Sequence, residues 1–244
     1  MERKMFLQNG LAALGLGLVI PLACKKDATI TSSSGTTSAS TGSSSSDSCT
    51  VTDSETAGPY PTKSPSSYVR SNIVDGQPGV PLTIKINIAN TNNSCSALAN
   101  AVVDIWHCNA AGYYSEYVDG SGGNYPTVDY TSSHFLRGRQ TTDANGSVTF
   151  TSIFPGWYTG RAPHIHVHVY NSSGTSLLVT QMAFPADVCN TVYTTASNYV
   201  AHGTQDTSNE ADSILGDSLD NELTVVTGNI TDGYTLTHTI YVSA

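Results

Sequence analysis

Charge is scarce in this chain of 244 residues. Asp, Glu, Lys and Arg together make up 12% of it, against about a quarter in an average soluble protein. Basic residues are scarcer still: 10 Lys and Arg face 19 Asp and Glu, a formal net charge of −9. A nucleic-acid partner needs a basic footprint, which is missing. The Lys/Arg-rich face of a membrane-surface helix is missing too. No Cys-x-x-Cys pair occurs, which argues against a zinc knuckle or a thioredoxin-type redox motif. There is no internal repeat, and helical signal is confined to residues 190–199 and 208–215. The apolar run from Leu11 to Ile20 is too short to span a bilayer.

What is there divides the chain into three parts. The Leu11–Ile20 run follows the charged head Glu2-Arg3-Lys4, and residues 1–23 read as a signal peptide. Cys24 follows Leu22-Ala23 and precedes Lys25-Lys26, which resembles a bacterial lipoprotein cleavage site with a lipid anchor on Cys24. Arg3 to Gln8 also resembles a weakened twin-arginine signal. Residues 24–48, above all Thr31 to Ser48, are mostly Ser, Thr, Gly and Ala. Such a segment buries too little apolar surface to offset the entropy of ordering and reads as a flexible linker. Residues 49–244 are enough for one buried core. The expected location is outside the cytoplasm, in the periplasm or on the cell surface.

Beyond Cys24, four cysteines remain, Cys49, Cys95, Cys108 and Cys189. An even number in an exported chain predicts two disulfides, with Cys95–Cys108 the favoured pair because they flank one loop and the following strand. The domain reads as all-β. Leu82, Ile84, Ile86 and Ile88 alternate with polar residues at the period of a half-buried strand. Further strands are expected over 101–107, 146–153, 164–170, 176–183 and 234–242, with a hairpin-like turn at Asp143-Ala144-Asn145-Gly146. Many short strands and turn-rich links predict a β-sandwich with long end loops and one or two short helices.

Two stretches carry candidate chemistry. In a strand, residues two apart share a face, so His164 and His166 point the same way, close enough to bind one metal. Tyr158 lies just upstream on a Pro-Gly turn, and Arg161 stands three residues before the first His. His168 continues the alternation, as a third donor or as part of a polar row. The second stretch, Ala101 to Ser115, is a strand running into a Gly-containing loop with the pair Tyr113-Tyr114.

Together these stretches resemble the signature of the intradiol ring-cleavage dioxygenases, the catechol and protocatechuate enzymes. Trp106-His107, Asn109-Ala110, Gly112 and Tyr114 follow that pattern, as do Pro155-Gly156-x-Tyr158 and Arg161-x-x-His164-x-His166. Thr56-Ala-Gly-Pro-Tyr60 and Gly79-Val80-Pro81-Leu82 match further family segments. Gln181 falls where the family has a substrate-side Gln. The resemblance covers roughly residues 49–200 and is greatest to the extracellular branch. A Ser-rich tether stands where the cytosolic catechol branch has a helical dimerisation segment, and the oligomeric state stays open.

The resemblance implies Tyr114, Tyr158, His164 and His166 as ligands of Fe(III), with Arg161 and Gln181 acting on the substrate. It implies a catechol-type substrate, O2 as co-substrate and a muconate-type dicarboxylic acid as product. Ferric iron is a hard ion and prefers anionic oxygen donors; it lowers the tyrosine pKa, ordinarily near 10, enough to give tyrosinate. Arg161 is a permanent, planar cation suited to stabilising negative charge that develops on the ring. Two other readings compete. One is a non-catalytic cell-surface β-sandwich binding module, since fold alone does not fix function. The other is a copper or zinc site built from His164, His166 and His168. The acidic stretch Asp206 to Asp220 is expected to be solvated surface, and substrate choice to depend on the Glu116–Ser133 loop.

Overall fold

The computed structural model describes residues 49–119 and 126–244. The expected signal peptide, the Cys24 anchor and the linker to residue 48 lie outside the described residues, as do residues 120–125 of the 116–133 loop. The strands, in chain order, are β1 (Pro81–Asn90), β2 (Ser96–Ala97), β3 (Val102–Trp106), β4 (Val118–Asp119), β5 (Val128–Asp129), β6 (Arg137–Thr141), β7 (Ser147–Ile153), β8 (His164–Tyr170), β9 (Ser176–Ala183), β10 (Val225–Asn229) and β11 (Gly233–Val242). Two short helices join them, α1 (Ala186–Thr195) and α2 (Leu219–Glu222). Among the described residues no helix is long and apolar enough to cross a membrane.

The period-two pattern of β1 is used as the sequence implies. Leu82, Ile84, Ile86 and Ile88 are buried. β1 pairs in parallel with β11 along one edge, and antiparallel with β7 and then β2 along the other. β10 completes this sheet beside β11. The second sheet runs β6-β3-β8-β9, antiparallel throughout. The inner residues of the two sheets form one core, with Ile84, Ile86, Phe150 and Leu236 from the first and Val103, Ile105, Ile165 and Val167 from the second. This is the expected all-β sandwich. Because Ile165, Val167 and Val169 point inward, His164, His166 and His168 lie on the outer face of the second sheet.

Four local expectations need correction. The only disulfide among the described residues joins Cys49 to Cys95; Cys108 and Cys189 are buried and form none. Cys95 stands just before β2 of the first sheet and Cys108 just after β3 of the second, and Cys95 has its Cα 5.9 Å from that of Cys49, the separation a disulfide needs. The Asp143–Gly146 turn forms, with Asp143 Oδ1 accepting from the Asn145 and Ser147 amides. Its flanking strands then enter different sheets, so it bridges the layers and closes no hairpin. The helix expected over 190–199 runs over Ala186–Thr195, since Pro185 at the N-cap sets its start. The helix expected over 208–215 shrinks to a 3₁₀ turn at Asn209–Ala211. There the Asp212 carboxylate takes up the Ile214 and Leu215 amides and ties the segment to Arg161.

Candidate metal centre

Strand pairing lays one row of side chains across the second sheet. Arg137, Trp106, His166 and Gln181 are register partners on β6, β3, β8 and β9. His164, two residues before His166, stands beside this row. The Nε2 atoms of the two histidines are 3.1 Å apart. His164 Nδ1 lies 2.6 Å from the Ala162 carbonyl oxygen; a carbonyl can only accept, so Nδ1 carries the proton and Nε2 presents a lone pair. Burial, reinforced by the Arg161 charge, pushes the His164 pKa down to about 3. Burial, then the neighbouring His164, holds His166 well below its ordinary value. Both imidazoles are therefore neutral donors. The indole of Trp106 stacks on His166, with ring centroids 4.9 Å apart and planes 3° from parallel.

Two phenols complete the cluster. The Tyr114 hydroxyl is 3.4 Å from His164 Nε2, and its side chain is fully buried. Tyr113 turns away and donates to the Pro126 carbonyl. The Tyr158 ring sits 5.7 Å from that of His164 and 5.9 Å from that of Tyr114. Burial raises the Tyr158 pKa to about 12 against the lowering pull of Arg161; burial also raises that of Tyr114 well above 10. Without a cation both phenols stay protonated.

The segment from Thr56 to Thr62 roofs the cluster. Tyr60 stacks on Tyr114 at 4.7 Å and meets Tyr158 edge-on at 6.3 Å. At Gly58 φ is +68°, and a Cβ there would stand 3.1 Å from His166 Cε1, so the close approach requires glycine.

Arg161 and Gln181 meet beside the phenols. Arg161 Nη2 donates to Gln181 Oε1 at 2.6 Å, and Gln181 Nε2 donates to the Thr56 carbonyl at 3.0 Å. Arg161 Nη1 is 3.5 Å from the Tyr158 hydroxyl. All six candidate residues thus converge. His168 does not join them. Its Nε2 is bonded to Ser176 and its Nδ1 to Tyr170, on which it stacks.

Two structural residues escaped sequence reading. Arg137 is fully buried and donates to the Ser115 and Tyr60 carbonyls and to the Ser115 and Thr62 hydroxyls. It ties the roof to the loop bearing Tyr114. The alternation Arg137-Gly-Arg139 was its only sequence signal. Asp212, from the stretch expected to be solvated, is buried against Arg161 at 2.8 Å. An acidic residue in a polar loop gives no signal of that partner.

The donor set can be tested against a metal. No group of three or more His, Cys, Asp and Glu able to hold an ion occurs among the described residues. What converges is two neutral imidazoles and two phenols, with no carboxylate among them. That set fits a hard cation able to deprotonate phenol, and it lacks the third imidazole or thiolate of a copper or zinc centre.

A family model described as Dioxygenase matches residues 56–223. A stretch of the chain is 38% identical over 96 residues to the protocatechuate 3,4-dioxygenase beta chain of Burkholderia cepacia, covering 36% of this chain and 38% of that one. The chain thus matches well under half the length of that relative. The fold is similar to an intradiol ring-cleavage dioxygenase from Tetranychus urticae, with a TM-score of 0.71, 26% identity, and coverage of 80% of this chain and 95% of the other. It is also similar to the dioxygenase domain of a dioxygenase carbohydrate-binding protein fusion from Streptomyces sp. SirexAA-E, with a TM-score of 0.55, 25% identity, and coverage of 80% and 99%.

Proposed function

Because the chain belongs to the intradiol ring-cleavage dioxygenase family, we propose that it cleaves a catechol-type ring with O2 between the two hydroxyl-bearing carbons, giving a muconate-type dicarboxylic acid. Tyr114, Tyr158, His164 and His166 hold Fe(III) in this reading. One observation carries it: donor atoms from β8 and from the loop after β3 meet within 3.1–3.4 Å, with a second phenol against them. When bound, ferric iron supplies the Lewis acidity that ionises the phenols and draws electron density from a bound catechol.

The chain's own groups do the rest. His164 and His166 stay neutral and oriented, one held by the Ala162 carbonyl and the other by the Trp106 stack. Tyr114 is buried and braced by Tyr60, so it is the fixed phenol. Tyr158 is only partly buried, and its oxygen is the one suited to accept a proton from an entering catechol hydroxyl. Arg161 aims Nη1 at the same spot and offers a fixed positive charge where negative charge develops on the ring. Gln181 steadies the guanidinium and links it to the roof. Tyr60, Trp106 and the Gly58 segment shield the centre from water. A location outside the cytoplasm, with an anchor at Cys24, belongs to the same proposal; the Cys49–Cys95 disulfide supports an oxidising compartment.

The test is oxygen uptake on a panel of catechols, comparing wild type with His164→Ala. Wild type takes up oxygen with at least one catechol, the variant with none, and purified wild type is red-brown from tyrosinate-to-iron charge transfer. A folded protein that stays colourless and inactive after iron reconstitution overturns the reading.

A further inference from the structure

We propose that Asp212 is a positioning residue that sets the Arg161 guanidinium and the His164 ring together. The proposal rests on the catechol-cleavage reading above. The Asp212 side chain is fully buried. Its Oδ1 and Oδ2 lie 3.0 and 2.8 Å from Arg161 Nε. Oδ2 also accepts from the Ala162 amide at 2.7 Å, and Oδ1 accepts from the Ile214 and Leu215 amides.

These bonds reach the centre by two short routes. With Nε held by Asp212 and Nη2 held by Gln181, the planar guanidinium has one orientation left, the one that points Nη1 at Tyr158. The second route runs through the peptide of Ala162. Its N–H is fixed by the carboxylate, and its carbonyl accepts from His164 Nδ1. One carboxylate therefore sets the direction of the cation and, through the next residue, that of an imidazole. Arg161 needs such a brace. Its long side chain, only 11% exposed, has many rotamers to lose on being ordered in one direction. If Asp212 served only to cap the 214–215 turn, its loss would lower stability and leave Arg161 in place.

The full chain carrying Asp212→Asn, Arg161→Gln, both changes together, or Asp212→Ala separates these cases. Thermal unfolding of the metal-free protein reads the pairing without any catalysis. The double variant is expected to melt no lower than Asp212→Asn alone, because removing the cation relieves what the first change leaves unpaired; melting losses that simply add overturn the pairing. In oxygen uptake by the iron-loaded protein, Asp212→Asn is expected to lower kcat by about 10–100-fold with KM unchanged within about threefold, the pattern of an interaction made in the transition state. In the Arg161→Gln background the same change is expected to cost less than about threefold. A kcat within about twofold of wild type, or an undiminished loss in the Arg161→Gln background, overturns the proposal. Asparagine keeps an oxygen for the Ala162 amide and alanine does not, so iron content at equal loading is expected to fall about tenfold in Asp212→Ala only; equal iron in both overturns the route to His164. Should Asp212→Asn fail to fold, Arg161→Gln against the double variant still decides the kcat comparison. If wild type takes up oxygen with no catechol, the cleavage reading falls, while the melting comparison still judges the pairing.

Discussion

Trp106 and His166 lie ring on ring across two paired strands, 4.9 Å between centroids and 3° from parallel. The sheet register that sets them opposite each other also places Arg137 and Gln181 at the ends of the same row. Scaffold and chemistry thus share one line of side chains, and disturbing either is expected to disturb the other.

Trp106 is 2% exposed. Trp106→Ala is expected to cost about 3–5 kcal/mol of stability through the cavity it leaves, and to lower iron affinity by about 10–100-fold, because the His166 ring loses its backing. Trp106→Phe, which keeps a stacking face, is expected to lose far less of both. Thermal unfolding and metal analysis check the two effects separately.

Gly58→Ala is expected to reduce iron retention about tenfold or more, since the added methyl would stand 3.1 Å from His166 Cε1. Gly174→Ala is the control. It has a comparable positive φ of +86° and open space around it, so it carries the backbone cost of about 1–2 kcal/mol with full iron content. Equal iron loss in the two variants would contradict the close approach.

His107 gives a pH dependence of stability. Burial pushes its pKa down to about 4, from about 6.5 in the unfolded chain. The unfolded state therefore binds more protons between these values, and stability must fall as pH falls through that window. The contribution is complete above about pH 6.5 and is lost by about pH 4, on the order of 3 kcal/mol. His107 contacts the Cys108 carbonyl and the Ser152 hydroxyl, and glutamine can span similar partners. His107→Gln is expected to flatten the slope of urea-unfolding free energy between pH 4 and 6.5 relative to wild type. A slope unchanged by the substitution would exclude His107 as its source.

Arg137→Lys is expected to destabilise by about 2–4 kcal/mol, because an ammonium cannot reproduce a fork that reaches Ser115, Tyr60 and Thr62 at once. Arg137→Ala goes further, to about 3–5 kcal/mol, by leaving the buried Glu116 carboxylate, 3.5 Å away, without its cation. Denaturant titration measures both.

The disulfide ties the start of the domain to the residue before β2, on the first sheet. Cys49 and Cys95 are 46 residues apart, and closing a loop of that length restricts the unfolded chain by about 4 kcal/mol. The Cys49→Ala/Cys95→Ala variant is expected to melt well below wild type, and reductant is expected to lower the melting temperature of wild type but not of the variant.

Much of this was legible in the sequence because it depends on periodicity and local spacing. The alternation of Leu82 to Ile88 and of His164 to Val169 determined strands, their inner and outer faces, and the pairing of two histidines on one side. The spacing of Tyr114, Tyr158, Arg161, His164, His166 and Gln181 determined the candidate site by its likeness to one family. What only the tertiary structure decided are contacts between segments far apart in the chain: Cys49 with Cys95, Asp212 with Arg161, Arg137 with Tyr60, and a row of four side chains on four strands. Local sequence cannot fix these, because a buried charge and a solvated one are the same letter until the register of the sheet and the path of the loops bring its partner within hydrogen-bonding distance.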